Sequence, residues 1–150
     1  MKLPEIFNNL PLVVGLIAWT IAQIVKVPLT FIATKRWNWA LLASPGGMPS
    51  SHSALVAATA QMIGLKEGFD SPLFAVACVL AIVVIYDATG IRRQAGRHAR
   101  IINKMILDMQ SGHPLKQELL REVLGHTPLE ALAGTLLGIA VAQITWLIVS

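Results

Sequence analysis

Charged side chains are scarce in this chain, making up 13% of its 150 residues, whereas apolar residues make up 55%. The mean hydropathy of +0.64 is far above that of an average soluble domain. A single cysteine, Cys78, excludes an intrachain disulfide. The sequence has no internal repeat and no low-complexity tract. Its length predicts one domain spanning residues 1–150.

The apolar residues are gathered into blocks rather than scattered along the chain. The three long blocks are Leu10–Ala33, Pro72–Tyr86 and Leu129–Val149. A bilayer span needs about 20 apolar residues, so each block is near the required length. A fourth block, Ser53–Leu65, is shorter and crosses only if its first turns lie at membrane depth. We therefore predict an all-α integral membrane bundle with four transmembrane helices.

Basic residues are concentrated in two of the connecting segments. Nine of the twelve Lys and Arg residues lie in 34–50 and 91–128, which four spans would place on one side of the membrane. The positive-inside rule assigns that side to the cytoplasm of a cell inner membrane. Within 94–125, apolar residues at helical spacing oppose basic ones. This pattern predicts a cytoplasmic amphipathic helix between the third and fourth spans, on the membrane surface or against the bundle.

A glycine-rich loop with the sequence GGMPSSHS, residues 46–53, precedes the second helix. Ser50 and Ser51 after Pro49 indicate a helix start with a capping hydroxyl. The free N–H groups and dipole of such a helix end suit an anion, and His52 would add a titratable ring beside it. The alternative is that the serines only cap the helix and His52 is a polar residue at its end.

Lys26 is a charged residue inside the first apolar block. It lies three residues after Gln23, so the two side chains share one helix face. A lysine within a span normally points into the protein or into water, which favours a functional position. The alternative is that Lys26 is close enough to the helix end to reach the lipid headgroups.

The third helix ends in an acidic residue followed by two arginines, Asp87, Arg92 and Arg93. Arginine pairs suit bidentate recognition of an oxyanion. The alternative is that both arginines anchor the cytoplasmic side of the span, with Asp87 as their counter-ion.

The fourth membrane helix opens on a capping-box pattern. Thr127 and Glu130 have the required spacing, and Pro128 occupies the first helical position. The cap explains Glu130 without any function, but it does not explain His126. With four spans, the polar residues described above would meet at one membrane face: His52, Asp87, Arg92, Arg93, His126 and Glu130.

Two motifs resemble a known family. The run from Pro49 to His52, Pro-Ser-Ser-His, resembles the Pro-Ser-Gly-His signature of the type-2 phosphatidic acid phosphatases, a superfamily that includes vanadium haloperoxidases. The run 126–134 is similar to the closing motif of that family, a His followed four residues later by an acid and then by Gly. With these motifs and the run Asp-Ala-Thr-Gly-Ile-Arg-Arg at 87–93, the chain most closely resembles a small, divergent bacterial and plant branch of that family. Ser51 replaces the usual Gly, and Glu130 the usual Asp.

The resemblance implies a membrane-embedded lipid phosphatase that works without a metal or another cofactor. His126 would be the nucleophile, Glu130 would orient its ring, and His52 would protonate the leaving alcohol. The implied phosphate-binding group is Ser50, Ser51, Lys26, Arg92 and Arg93, together with Asp87.

The implied substrates are lipid phosphates or polyprenyl diphosphates that reach the site from the bilayer, and no nucleic-acid partner is expected. A second interpretation is a non-catalytic relative that binds anionic lipid headgroups or moves them across the bilayer. A third is a structural subunit of a larger membrane complex. Four helices around a polar site also suggest a homo-oligomer, and His98 and His113 are interpreted as surface residues.

Overall fold

The computed structural model describes residues 3–43, 46–109 and 126–150. Five α helices lie in these ranges, which contain no strand: α1 (Leu10–Thr34), α2 (Ser51–Glu67), α3 (Pro72–Thr89), α4 (Ile91–Met109) and α5 (Pro128–Val149). Short 3₁₀ helices cover Leu3–Asn8 and Trp39–Ala43. The all-helical prediction is confirmed.

Side-chain caps begin α2, α3 and α5, and those of α2 and α5 lie where the sequence predicted them. Ser50 accepts a hydrogen bond from the backbone N–H of Ser53, and Ser71 does the same for α3. Thr127 and Glu130 form the complete capping box at the start of α5. These caps satisfy N–H groups that the first helical turn leaves without a partner.

Three helical stretches are long and apolar enough to cross a membrane: Leu10–Thr34, Pro72–Leu107 and Pro128–Val149. The second stretch contains α3 and most of α4, and α3 is its apolar part. α2 has 17 residues and is shorter than the other apolar helices. The described ranges therefore contain three candidate spans, and the fourth predicted span depends on how deeply α2 lies in the bilayer.

α2 is the central helix, because it packs against α1, α3 and α5. Gly134 of α5 lies against the backbone of Ser50, and Gly138 lies one turn further along against Ala54. The later glycine of α5 contacts the later residue of α2, so the two helices run parallel. Their first turns therefore lie at the same end of the bundle. The N–H of His126 donates to the carbonyl of Ala88, which brings the last turn of α3 to that end as well.

The core where α1, α2 and α5 meet is built mainly from alanine. Its buried members are Val14, Ala18, Ala22, Ala54, Ala58, Met62 and Ala142. Small side chains allow membrane helices to approach closely, so van der Waals contact between backbones replaces the hydrophobic driving force that lipid does not supply. The large apolar side chains instead point outward, as expected for helices surrounded by acyl chains.

An aromatic stack marks the end of α1. The ring of Phe31 stacks on Trp37 with centroids 4.4 Å apart, and Trp37 stacks on Trp39 at 5.5 Å. Trp37 and Trp39 remain more than half exposed. Exposed tryptophans beside Lys35 and Arg36 are typical of the membrane–water interface.

α4 has the amphipathic pattern expected from the sequence, but it begins at Ile91, directly after α3. Ile101, Ile102 and Met105 are exposed, as are Arg100 and Lys104 on a different side of the helix. His113 and the rest of the segment 110–125 lie outside the described residues. Contact of α4 with the membrane surface stays a prediction.

We predict that Gly138→Ala destabilises the bundle by about 1–3 kcal/mol, the usual cost of overpacking. An added Cβ would lie 2.3 Å from the carbonyl oxygen of Ala54, so α2 and α5 would have to separate. Thermal unfolding in detergent, followed by tryptophan fluorescence, measures the loss. Ala140→Val, at an exposed position of α5, is the control and should leave the midpoint nearly unchanged. Equal midpoints for Gly138→Ala and wild type would contradict the predicted close contact.

Candidate active site at the helix ends

His126 lies immediately before α5 and is buried, with 5% of its surface exposed. Its Nδ1 atom is 3.0 Å from Oε2 of Glu130, one helical turn further along. An ionised carboxylate can only accept, so this contact assigns the hydrogen of a neutral ring to Nδ1. The lone pair then lies on Nε2, on the opposite side of the imidazole.

The carboxylate that holds His126 is itself held by the backbone. Oε2 of Glu130 also accepts the N–H of Thr127 at 3.1 Å, while the hydroxyl of Thr127 accepts the N–H of Glu130. These two bonds are the capping box, and they fix the side chain of Glu130 before any ligand arrives. The cap and the ring contact therefore share one oxygen atom.

Nε2 of His126 makes no hydrogen bond to any described residue, although it is fully buried. Buried polar atoms in folded proteins nearly always have a partner, so an unpaired one requires an explanation. A ligand that binds at Nε2 would supply it. This atom is the first indication that the arrangement is a binding or catalytic site.

The first turn of α2 is joined directly to the first turn of α5. The N–H of Ser50 donates to the carbonyl of Glu130 at 2.9 Å, and the Ser50 backbone contacts Gly134. The Ser50 hydroxyl accepts from the N–H and the hydroxyl of Ser53, and both serines are fully buried. The predicted capping role of Ser50 is thus present, in a position next to the His126–Glu130 pair.

Lys26 of α1 is completely buried and points into the bundle, so the alternative of a side chain reaching for headgroups is wrong. Its Nζ donates to Oε1 of Gln23 and to the hydroxyl of Ser51, the latter at 3.3 Å. The ammonium is also near enough to Glu130 for electrostatic attraction. α1 therefore brings a positive charge to the same end of α2 at which α5 brings His126.

The candidate site lies below the end of α1 and not level with it. Lys26 precedes Thr34, the last residue of α1, by eight positions. At 1.5 Å per residue this is about 12 Å along the helix axis. Because Ser51 binds the Lys26 ammonium, the first turn of α2 begins beside this buried part of α1.

The remaining predicted site residues lie at the same end of the bundle. His52 is half-buried in the first turn of α2, next to Ser51. Asp87 is half-buried near the end of α3, one residue before the carbonyl that binds the N–H of His126. Arg92 and Arg93 stand in the first turn of α4, and their side chains lie outside the described part of the chain.

Comparison with known proteins agrees with these motifs. The sequence profile of the Divergent PAP2 family matches residues 7–141, nearly the whole chain. The chain belongs to this family. An uncharacterized membrane protein of Bacillus subtilis (strain 168), YuiD, is 42% identical over 146 residues, which cover 90% of this chain and 92% of that protein. The search of solved structures gave no significant match.

Membership of the Divergent PAP2 family confirms the resemblance drawn from the two motifs, and the described helices and the similar membrane protein both indicate an integral membrane protein. Sequence reasoning did not select Gln23, whose amide contacts Lys26 and the carbonyl of Leu42. The spacing of three residues between Gln23 and Lys26 is visible in the sequence. Nothing there indicates that the carbonyl of Leu42 would lie on the other side of the Gln23 amide.

We predict that Ser50→Ala destabilises the protein more than Ser71→Ala, although both residues cap a helix. Loss of a cap costs about 1 kcal/mol in each case. Ser50→Ala also leaves the buried hydroxyl of Ser53 without its acceptor, which adds about 1–3 kcal/mol. Unfolding midpoints in detergent measure the difference, and Ser50→Ala combined with Ser53→Ala should recover part of it. Equal losses for the two single variants would contradict this description of the first turn of α2.

Proposed function

We propose that this protein is a metal-independent lipid phosphatase that forms a phosphohistidine intermediate on His126. The observation that carries the proposal is the ring of His126, which is held at Nδ1 by Glu130 and leaves a buried Nε2 atom unpaired. A nucleophile oriented by a base or acid on its other side is the usual arrangement for covalent catalysis. Membership of the Divergent PAP2 family supports the same chemistry.

In the first step Nε2 of His126 attacks the phosphorus atom, and the bond from phosphorus to the lipid oxygen breaks. The imidazole becomes positively charged as it bonds to phosphorus, and the carboxylate of Glu130 stabilises that charge across the Nδ1–H bond. Glu130 is already fixed by the capping box, so no reorganisation is needed as the charge develops. The departing lipid oxygen takes its proton from His52.

In the second step water attacks the phosphorus atom of the phosphohistidine. His52, now neutral, accepts a proton from this water, and the bond from phosphorus to Nε2 breaks. Inorganic phosphate leaves, and both histidines return to their starting protonation states. His52 is assigned this role because it lies in the first turn of α2, next to Ser51.

The transferred phosphoryl group carries negative charge on its three equatorial oxygens throughout the reaction. The hydroxyls of Ser50 and Ser51, the N–H groups of the first turn of α2 and the ammonium of Lys26 provide donors and positive charge at this point. We assign Arg92 and Arg93 to the same task, with Asp87 as their counter-ion. Such fixed donors act more strongly in a site with little water than at a surface.

The depth and the surroundings of the site support a lipid substrate. The site lies about 12 Å below the end of α1, among helices whose outer faces are apolar. A lipid phosphate can remain in the bilayer with its acyl chains while its headgroup reaches the basic end of the bundle. We assign that end to the cytoplasmic side, because nine of the twelve basic residues lie in the segments next to it.

We expect the purified protein in detergent to release inorganic phosphate from at least one of phosphatidate, phosphatidylglycerol phosphate and polyprenyl diphosphate. EDTA should not inhibit the release. His126→Gln should remove it, and His52→Asn should lower kcat by about 10²–10⁴, the range for general acid–base catalysis. His98→Asn, at an exposed histidine of α4, is the matched control and should retain wild-type kcat.

Two outcomes would overturn this function. Release that His126→Gln does not reduce would assign the activity to another nucleophile. No release from any of the three lipids, combined with a higher wild-type melting temperature when they are present, would instead identify a relative that binds or moves anionic headgroups.

Glu130 and Thr127 allow the structural role of the capping box to be separated from catalysis. Thr127→Ala removes the hydroxyl half of the box and should cost about 1 kcal/mol of stability, but it leaves Glu130 against His126. Glu130→Ala removes both the cap and the ring contact. We predict that kcat falls at least 10²-fold in Glu130→Ala and less than about threefold in Thr127→Ala. Equal kcat losses in the two variants would show that Glu130 acts only as a cap.

A further inference from the structure

Gln23 is a buried carboxamide, 7% exposed, on the inner face of α1. Its two polar atoms bind partners on opposite sides: Oε1 accepts from the ammonium of Lys26, and Nε2 donates to the carbonyl oxygen of Leu42 at 2.8 Å. The partners determine which way the amide faces, because a lysine can only donate and a carbonyl can only accept. Gln23 therefore joins the charged side chain of α1 to the loop that leads to α2.

We propose that Gln23 is a positioning residue that holds the Lys26 ammonium against Ser51, so that its full positive charge is presented to the phosphoryl group at the first turn of α2. The inference rests on the proposed phosphatase function. Gln23 itself does not touch the substrate.

A lysine side chain has a flexible four-carbon stem and three rotating donors, so burial alone does not define where its charge lies. The loop before α2 passes beside the stem: a Cβ added to Gly47 would be 3.7 Å from Cδ of Lys26, an ordinary van der Waals distance. Gly47 has a φ of +89°, which favours glycine. The head of the side chain is fixed by Gln23 and Ser51.

The identity of residue 23 matters as well as its position. A carboxamide accepts a hydrogen bond from the ammonium without opposing its charge, so Lys26 remains a net cation toward an anion beside Ser51. A carboxylate in the same place would form a buried ion pair and cancel most of that charge for a second anion.

The test compares Gln23→Glu and Gln23→Leu with wild type in detergent. For each protein, kcat and KM for lipid phosphate release are measured together with the inhibition constant of orthovanadate, which mimics the transferred phosphoryl group. We expect the vanadate constant of Gln23→Glu to rise at least tenfold, although the substitution also removes the hydrogen bond that the amide donates to the Leu42 carbonyl. We expect Gln23→Leu to weaken vanadate binding and lower kcat, because the ammonium loses one of its anchors.

Gln61→Leu is the matched control. Gln61 also forms an interhelical amide hydrogen bond, with Gln143 at 3.1 Å, but it lies about 15 Å along α2 from Ser51. Removing it should change stability without changing KM or the vanadate constant. A merely structural role for Gln23 predicts the same behaviour for Gln23→Leu and Gln61→Leu.

The outcomes separate this inference from the proposed function. If wild type releases phosphate but Gln23→Glu keeps its kcat, KM and vanadate constant, the phosphatase stands and the positioning role is wrong. If wild type releases no phosphate, the proposed phosphatase function is wrong. The rise in melting temperature with orthovanadate then measures vanadate binding and tests the positioning role alone. In that case, equal vanadate affinity for wild type and Gln23→Glu, or no binding by wild type, overturns it.

Discussion

The close contact between the backbones of α2 and α5 determines how the side chains at the starts of these two helices lie relative to one another. At Gly134 the two helices are so near that any side chain would collide with the carbonyl of Ser50. The same contact allows the N–H of Ser50 to donate to the carbonyl of Glu130, so the two first turns are joined by a hydrogen bond as well as by packing. In a bilayer such contacts are especially important, because lipid gives apolar helices little reason to associate. The histidine before α5 and the serines that begin α2 are thus brought together by glycine.

Burial of Lys26 is the least favourable feature of this arrangement and the most informative one. A lysine within a membrane span is expensive unless it has partners. Gln23, Ser51 and the nearby Glu130 lower that cost, but a core made of alanine alone would avoid it entirely. A protein whose only requirement was a stable bundle would not need this residue. The buried cation is therefore better explained by an anionic ligand than by stability.

The sequence predicted the elements of this structure more completely than their depth. Hydropathy and the caps at Ser50 and Thr127 located the helices to within a few residues, because both are local properties of the chain. Hydropathy alone could not decide whether Lys26 reached the headgroups or the interior, since that depends on what faces it. The answer comes from α2, whose first turn lies against Lys26 below the end of α1. Contacts between distant segments of this kind have no signal in a single sequence.

Glu130 shows how one residue can satisfy a structural rule and also serve chemistry. The capping box explains its presence fully, which is why the spacing of Thr127 and Glu130 gave no functional signal by itself. The structure adds a second donor, Nδ1 of His126, to the oxygen that already accepts the N–H of Thr127. Because the cap forms whenever α5 forms, the carboxylate is oriented by folding rather than by the ligand. A histidine immediately before a capped helix therefore gains a rigid carboxylate partner at no additional cost in conformational entropy. This is a physical reason for a His–Glu pair of this kind to lie at a helix start.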